Sequence, residues 1–378
     1  MPLMALSGAL AMRAHRPGHA WVFLQYLLGF RRLGWDVLFL DHVPGPVRSR
    51  ALEGMAGWLR TVMSAAGLDD CWSLSLPESQ HMGLSRSEVA SRLRAAELLI
   101  NVNGFLRDHE LLDAVPRRVF LDVDPGFVQM WRDLRLADVL SGHDYFVTVG
   151  SRVGEEGCSV PTVGLRWIHT RPPVVLERWP MAPGAPRGPF GSIATWRGPF
   201  GPLKYRGSTY GLRVHEFRRF LSLPRVAGVP FELVLDIDPD DERDRTALKK
   251  YGWHITPSTL VPDLETYQRY ISTSKAELCV AKSMYVRTRS GWFSDRSACY
   301  LATGRPVLAQ DTGFSESLPT GEGLLSFESM DSAAAGVRAI EADLALHGRV
   351  ARSIAEEYFD SDVVLTELLK RLDGAPDS

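Results

Sequence analysis

Short apolar runs alternate with amphipathic stretches along the whole chain. That alternation is the pattern of parallel sheets covered by helices on both faces. In the first half, 4–10, 36–41, 98–103, 118–122, 145–149 and 162–165 read as strands. Between them, 20–33 and 85–96 carry a helical pattern, and Gly34 stands where a glycine closes the first of these helices. The second half repeats the scheme. Strands are expected over 191–195, 231–236, 276–280 and 307–309, and helices over 211–222, 332–346 and 349–372. The charged stretch 238–250 reads as a loop or a helix. No short-period internal repeat is visible.

Between the halves the texture changes. Pro172, Pro173, Pro180, Pro183, Pro186 and Pro189 fall close together with Gly184 and Gly188, the composition of a semi-rigid connection. A chain of 378 residues is too long for one ordinary core. We therefore expect an α/β protein of two Rossmann-like, doubly wound domains facing a central cleft. The first covers 1–175, a Pro-rich linker 176–190 and the second domain 191–350. A C-terminal helix over 351–378 is placed to pack back on the first domain. Ligands of such domains sit at the carboxyl ends of the strands.

Charge and cysteines narrow the class. A net charge of −2 gives no reason to expect nucleic acid or a membrane surface as partner. Cys71, Cys158, Cys279 and Cys299 are far apart and show no metal-ligand or disulfide spacing, which fits a reducing cytoplasm. The best membrane candidate, 20–30, is far shorter than the about 20 apolar residues a spanning helix needs, and it reads as a core helix. There is no P-loop, no Gly-x-Gly-x-x-Gly after the first strand and no Gly-x-Ser-x-Gly elbow, which argues against an NTPase, a dehydrogenase and a hydrolase.

The most informative segment runs from Ser290 to Phe314. It reads as a glycine turn at Gly291, a helix with Ser294 as N-cap and Gly304 as its stop, a buried strand, and a second glycine turn over Asp311-Thr312-Gly313. A helix that starts at a glycine turn offers free N–H groups and a positive dipole end, a site suited to phosphate. Arg287 and Arg289 precede the turn, and Asp295 in the first helical turn is a candidate for a ribose diol. A second phosphate-ready geometry follows the first strand of the second half, over Trp196-Arg197-Gly198-Pro199-Phe200-Gly201-Pro202-Leu203-Lys204. In the first half, Asp122-Val123-Asp124-Pro125-Gly126 sets two carboxylates at a strand end, either of which could act as general base or simply shape the turn. His15 and His19 sit in the loop after the first strand, and His19 is a further candidate base. Phe127, Trp131 and Trp292 are candidates either for an acceptor wall or for core packing.

The order of turn, helix, Ala302-Thr303-Gly304-Arg305-Pro306-Val307 and strand resembles the nucleotide-sugar half-site of GT-B glycosyltransferases, with a C-terminal half like those of families 1 and 4. Gly18-His19-Ala20-Trp21 and the Asp-x-Asp-Pro-Gly run resemble a bacterial group of such enzymes. The resemblance implies a hexosyltransferase that moves a sugar from a nucleoside diphosphate sugar, UDP- or TDP-linked, to a small-molecule or glycan acceptor. It implies natural-product or cell-envelope glycosylation, with no metal and no other cofactor. It also implies that Arg197 and Lys204 reach the donor diphosphate. The donor site is then expected over Arg197, Lys204, Arg287, Ser290, Gly291, Trp292, Asp295, Arg296, Asp311, Thr312 and Gly313, with Asp122, Asp124 and His19 as catalytic candidates. The chain departs from the common retaining pattern of two glutamates eight residues apart: those positions fall near Arg289 or Ser290 and on Cys299, and Asp295 stands one helical turn earlier. A nucleotide-sugar-binding protein without turnover, or an epimerase or pseudo-glycosyltransferase on the same scaffold, is the alternative.

Overall fold

The apolar runs assemble into two parallel sheets. The computed structural model describes residues 1–375 except 46, 78, 79, 183, 185, 187, 199 and 200. Pro183 of the linker, Pro199 and Phe200 of the second phosphate-ready segment, and 376–378 of the expected last helix lie outside the described residues. The first sheet contains β1 (Leu3–Gly8), β2 (Asp36–His42), β3 (Trp72–Ser75), β4 (His81–Gly83), β5 (Leu98–Val102), β6 (Arg118–Asp122), β7 (Tyr145–Thr148) and β8 (Trp167–His169), in the order β4-β3-β2-β1-β5-β6-β7-β8. Only the β3–β4 pair is antiparallel. Leu6 of β1 lies opposite Phe39 of β2 and Ile100 of β5, so the centre of the sheet is apolar on both flanks.

The second sheet is built from β9 (Phe190–Thr195), then, after a separate hairpin of β10 (Leu203–Tyr205) and β11 (Ser208–Tyr210), from β12 (Phe231–Asp236), β13 (Trp253–Pro257), β14 (Ala276–Cys279), β15 (Val307–Gln310) and β16 (Leu324–Phe327). Its order, β13-β12-β9-β14-β15-β16, is that of a Rossmann sheet, with the chain reversing direction of travel between β9 and β14. The first sheet reverses between β1 and β5. Side chains such as Phe39, Phe120 and Leu308 are fully buried, each contributing about 1.5–3 kcal/mol of hydrophobic stabilisation.

Several expected elements shift. Residues 162–165 form a turn, because Val163 and Gly164 take φ values of 51° and 77°; the strand follows at Trp167. The expected helix 211–222 breaks into Arg213–Phe217, one tight 3-10 turn and Leu223–Ala227. The two expected terminal helices are three: Met330–Ala342, Leu344–Tyr358 and Ser361–Asp373. The second break has a clear cause. The Val174 N–H donates to the Phe359 carbonyl at 2.7 Å and the Ser361 N–H donates to the Val174 carbonyl at 2.9 Å, so the connection between the sheets takes the backbone groups a continuous helix would use. The last helix lies against the helix Pro17–Arg32, where Arg32 holds Asp362 at 2.8 and 2.9 Å. The pattern over 43–84 predicts nothing, and there the structure has the helix Ser49–Ala65 with β3 and β4.

Candidate active site

Both reversal points open onto one cavity of about 690 Å³ between the sheets. Its lining comes from the loops at the carboxyl ends of the strands: Arg13 and residues 15–19 after β1, Asn103 and Arg107 after β5, Asp124 after β6, Thr195, Arg197 and Gly198 at and after the end of β9, Asp236 at the end of β12 and Lys282 after β14. Arg16 bridges the cleft to Asp236 at 2.6 Å.

The two aspartates of the Asp-x-Asp run have opposite fates. Asp122 is fully buried behind the wall, where it accepts from Gln129 Nε2 at 2.6 Å, Thr148 Oγ1 at 3.0 Å and the Asp124 N–H at 3.0 Å. Burial pushes its carboxyl up to about 7. It does not line the cavity, so its geometry is that of a loop anchor and not of a base reaching an acceptor. Asp124 does line the cavity, with 31% of its side chain exposed. Burial alone would raise it, but Lys282 and the Tyr285 hydroxyl, both from the second domain, bond to it and hold it below the usual carboxylate range.

His19 also lines the cavity. Its Nε2 lies 3.2 Å from the Ala9 carbonyl, which can only accept, so Nε2 carries the proton and Nδ1 the lone pair. Burial lowers its pKa to about 4, and it is neutral at pH 7.

On the other wall the glycine turn does not do what its sequence suggests. Gly291 has φ 74°, and a Cβ there would stand 2.3 Å from Ser151 Oγ of the first domain. Trp292 pairs with Gly150 as an antiparallel bridge, and the Arg152 N–H donates to the Ser290 carbonyl at 3.1 Å. The Gly291 N–H is taken by the Thr312 carbonyl at 2.8 Å, the Thr312 hydroxyl by the Trp292 carbonyl at 2.6 Å, and the Gly313 N–H by Asp311 at 2.9 Å. Ser290, Gly291, Asp311, Thr312 and Gly313 therefore form a joint between the domains and do not line the cavity. The helix start that does face the cavity lies four residues further on. Ser294 occupies the N-cap of the helix Asp295–Ala302 without capping it through its side chain, and Ser294, Asp295 and Arg296 face the cavity.

The expected cations are largely committed to protein partners. Arg197 reaches the rim but is held by Asp241 at 2.8 and 2.9 Å. Lys204 lies on β10 and Arg287 fastens the hairpin through the Thr209 carbonyl; neither lines the cavity. Arg296 spends its donors on Glu277, the Ile193 carbonyl and Cys279 Sγ. Trp292 stacks on Tyr285 at 4.4 Å and contributes an apolar edge. Asp295 forms no ion pair among the described residues, and burial raises its pKa.

On the second-domain wall, two lining cations were not singled out from the sequence, Arg213 and Lys282. Arg213, at the start of Arg213–Phe217, lines the cavity with its Nε buried and without a hydrogen-bond partner. No carboxylate forms an ion pair with it among the described residues; burial and the neighbouring Arg296 depress its pKa, against a smaller opposing pull from Glu277. Lys282 stands three residues beyond β14, a place the strand-end rule singles out. No group of three or more His, Cys, Asp or Glu side chains is gathered for a metal among the described residues, and no helix is long and apolar enough to cross a membrane.

No protein-family model and no curated protein matches the sequence. Solved structures do match. The UDP-glucose complex of HepE from Anabaena superposes with a TM-score of 0.61 at 10% identity, over 99% of this chain and 100% of that one. An alpha-glucosyltransferase bound to UDP and DNA gives 0.60 at 12% identity, over 99% and 100%. AviGT4, a glycosyltransferase involved in avilamycin A biosynthesis, gives 0.58 at 13% identity over the whole of both chains. In its sheets, its cleft and its full length, this chain has the GT-B fold.

Proposed function

We propose that the protein transfers a glycosyl group from a nucleoside diphosphate sugar to a small acceptor. The observation that carries this reading is the convergence, on the second-domain wall, of unpartnered Arg213 with the uncapped start of the helix Asp295–Ala302. A buried guanidinium nitrogen without an acceptor is costly, and a bound diphosphate supplies acceptor and charge beside the positive end of the helix. Asp295 is placed for the donor's ribose or sugar hydroxyls. Protein cations take the role a metal would have in neutralising the leaving diphosphate, so no metal or other cofactor is required. Among the fold's relatives, HepE and the alpha-glucosyltransferase carry UDP in their structures, which favours UDP as the nucleotide.

The acceptor side is the first-domain wall. Phe23, Tyr26, Phe105 and Phe127 give it an apolar surface, with Asp124 as the base on the acceptor hydroxyl and the neutral His19 as an orienting group. The free thiols of all four cysteines fit action in the cytoplasm. Thermal unfolding with UDP, TDP, GDP and ADP and their glucose derivatives, with and without a divalent ion, tests the reading. A ligand at 100 times its Kd stabilises the fold by about 2.7 kcal/mol. A metal-independent shift with one nucleotide and its sugar is expected. No shift with any of them overturns the donor site.

A further inference from the structure

Lys282 joins a first-domain carboxylate to the wall that carries the helix start Asp295–Ala302. Its ammonium bonds Asp124 at 2.5 Å and lies 5.2 Å from the Tyr285 ring and 5.5 Å from the Phe127 ring, so Asp124 is its anionic partner. The pair crosses the cleft: Asp124 follows β6 of the first sheet, and Lys282 follows β14 of the second. Lys282 and Asp124 line the same cavity as Arg213 and the open helix start. Lysine is a point charge on a flexible stem with three donors, able to move between acceptors a few ångströms apart without a change of fold. Asp124 is the carboxylate best placed for an acceptor hydroxyl, yet in this state it is neutralised.

We infer that Lys282 is a donor-sensing positioning residue: without donor it masks Asp124, and a bound diphosphate draws it away, leaving Asp124 free to take a proton from the acceptor hydroxyl. This rests on the donor-site reading above. The diphosphate carries more charge than one carboxylate and already has Arg213 and helix amides around it, so the exchange runs toward the diphosphate when donor is present. Asp124 keeps its hydrogen bond from Tyr285, which holds the carboxylate in place after Lys282 leaves. Asp124 then becomes a competent base only once the sugar is in position, and acceptor activation is coupled to donor occupancy.

The inference makes a sign prediction that a simple interdomain latch does not. UDP and inorganic pyrophosphate are titrated calorimetrically against wild type, Lys282→Met, Asp124→Asn and the double variant, with each unliganded melting temperature recorded. Lys282→Met should weaken binding about tenfold, and Asp124→Asn, by removing the competitor, should tighten it about tenfold, within the usual range of site coupling. In the Lys282→Met background, Asp124→Asn should have no effect. Lys282→Arg should restore binding and so separates loss of charge from loss of fold. If Asp124→Asn loosens binding, or acts equally in both backgrounds, the pair is only a latch and the inference falls while the donor site stands. Binding to wild type that Lys282→Met leaves unchanged has the same consequence. Failure of wild type to bind either probe removes the donor site, and this inference with it.

Discussion

The two walls of the cleft are built from the same kind of strand-end loop, and both carry arginines, but the first presents an aromatic surface and the second a helix start with buried cations. The first-domain wall sets Phe23, Tyr26, Phe105 and Phe127 around one accessible carboxylate and a neutral histidine, with Arg13, Arg16 and Arg107 also lining it. The second-domain wall is cationic, with Arg213, Lys282 and Arg296 beside an uncapped helix start. The contrast teaches that position in the fold does not set the charge of a wall; the partners each loop meets do. Arg296 is bonded to Glu277 behind it and Arg197 to Asp241 at the rim, whereas the buried Arg213 Nε is left without a hydrogen-bond partner. On the proposed reading, an anionic leaving group and an acceptor to be desolvated and deprotonated each get a wall suited to them.

The largest break in this contrast should come from Arg296→Met. It strands Glu277, whose other oxygen is already unpartnered and buried, and should cost about 3–5 kcal/mol in urea unfolding. A loss below 1 kcal/mol would mean the pair does not hold the wall.

A second effect is on the opposite side. Asp122 has a folded pKa of about 7, raised above its unfolded value near 3.8. A group shifted this way stabilises the fold when protonated, and that contribution is lost as pH rises from about 4 to 7. Stability of Asp122→Asn minus that of wild type should therefore rise across this window by at most about 1.4 kcal/mol per pH unit. A difference flat with pH would show that Asp122 ionises normally behind the wall. Asp41 is likewise pushed to about 7 by burial, so the wild-type slope should survive in part.

Arg213→Met probes the cationic wall itself. UDP affinity should fall about thirtyfold, equivalent to about 2 kcal/mol for a lost charge-assisted contact, while unliganded stability does not fall. Equal losses of stability and affinity would make Arg213 a structural residue. The smallest effect is expected from Arg197→Ala, whose partly exposed pair with Asp241 is worth less than about 1 kcal/mol. UDP affinity within about threefold of wild type would place this arginine outside the donor contacts.

Much of the architecture follows from the sequence alone. The apolar runs at β1, β2, β5, β6, β7, β9, β12, β14 and β15 mark both sheets, and Ser85 and Gly304 stand where helices begin and end. These signals act within a few residues, through burial on both strand faces and capping of free backbone groups, so a linear reading captures them. Asp124 and the helix beginning at Asp295 were legible for the same reason: both follow directly from a strand-end or turn signal. The tertiary structure alone decided which groups stayed available. The Gly291 turn is consumed by Gly150–Arg152, about 140 residues earlier in the chain. Lys282 is matched to Asp124 158 residues away, and Arg213 differs from Arg197 and Arg296 on its own wall in that its buried Nε meets no hydrogen-bond acceptor. A charge becomes available to a ligand only when no distant residue satisfies it first, and folding brings those distant residues together.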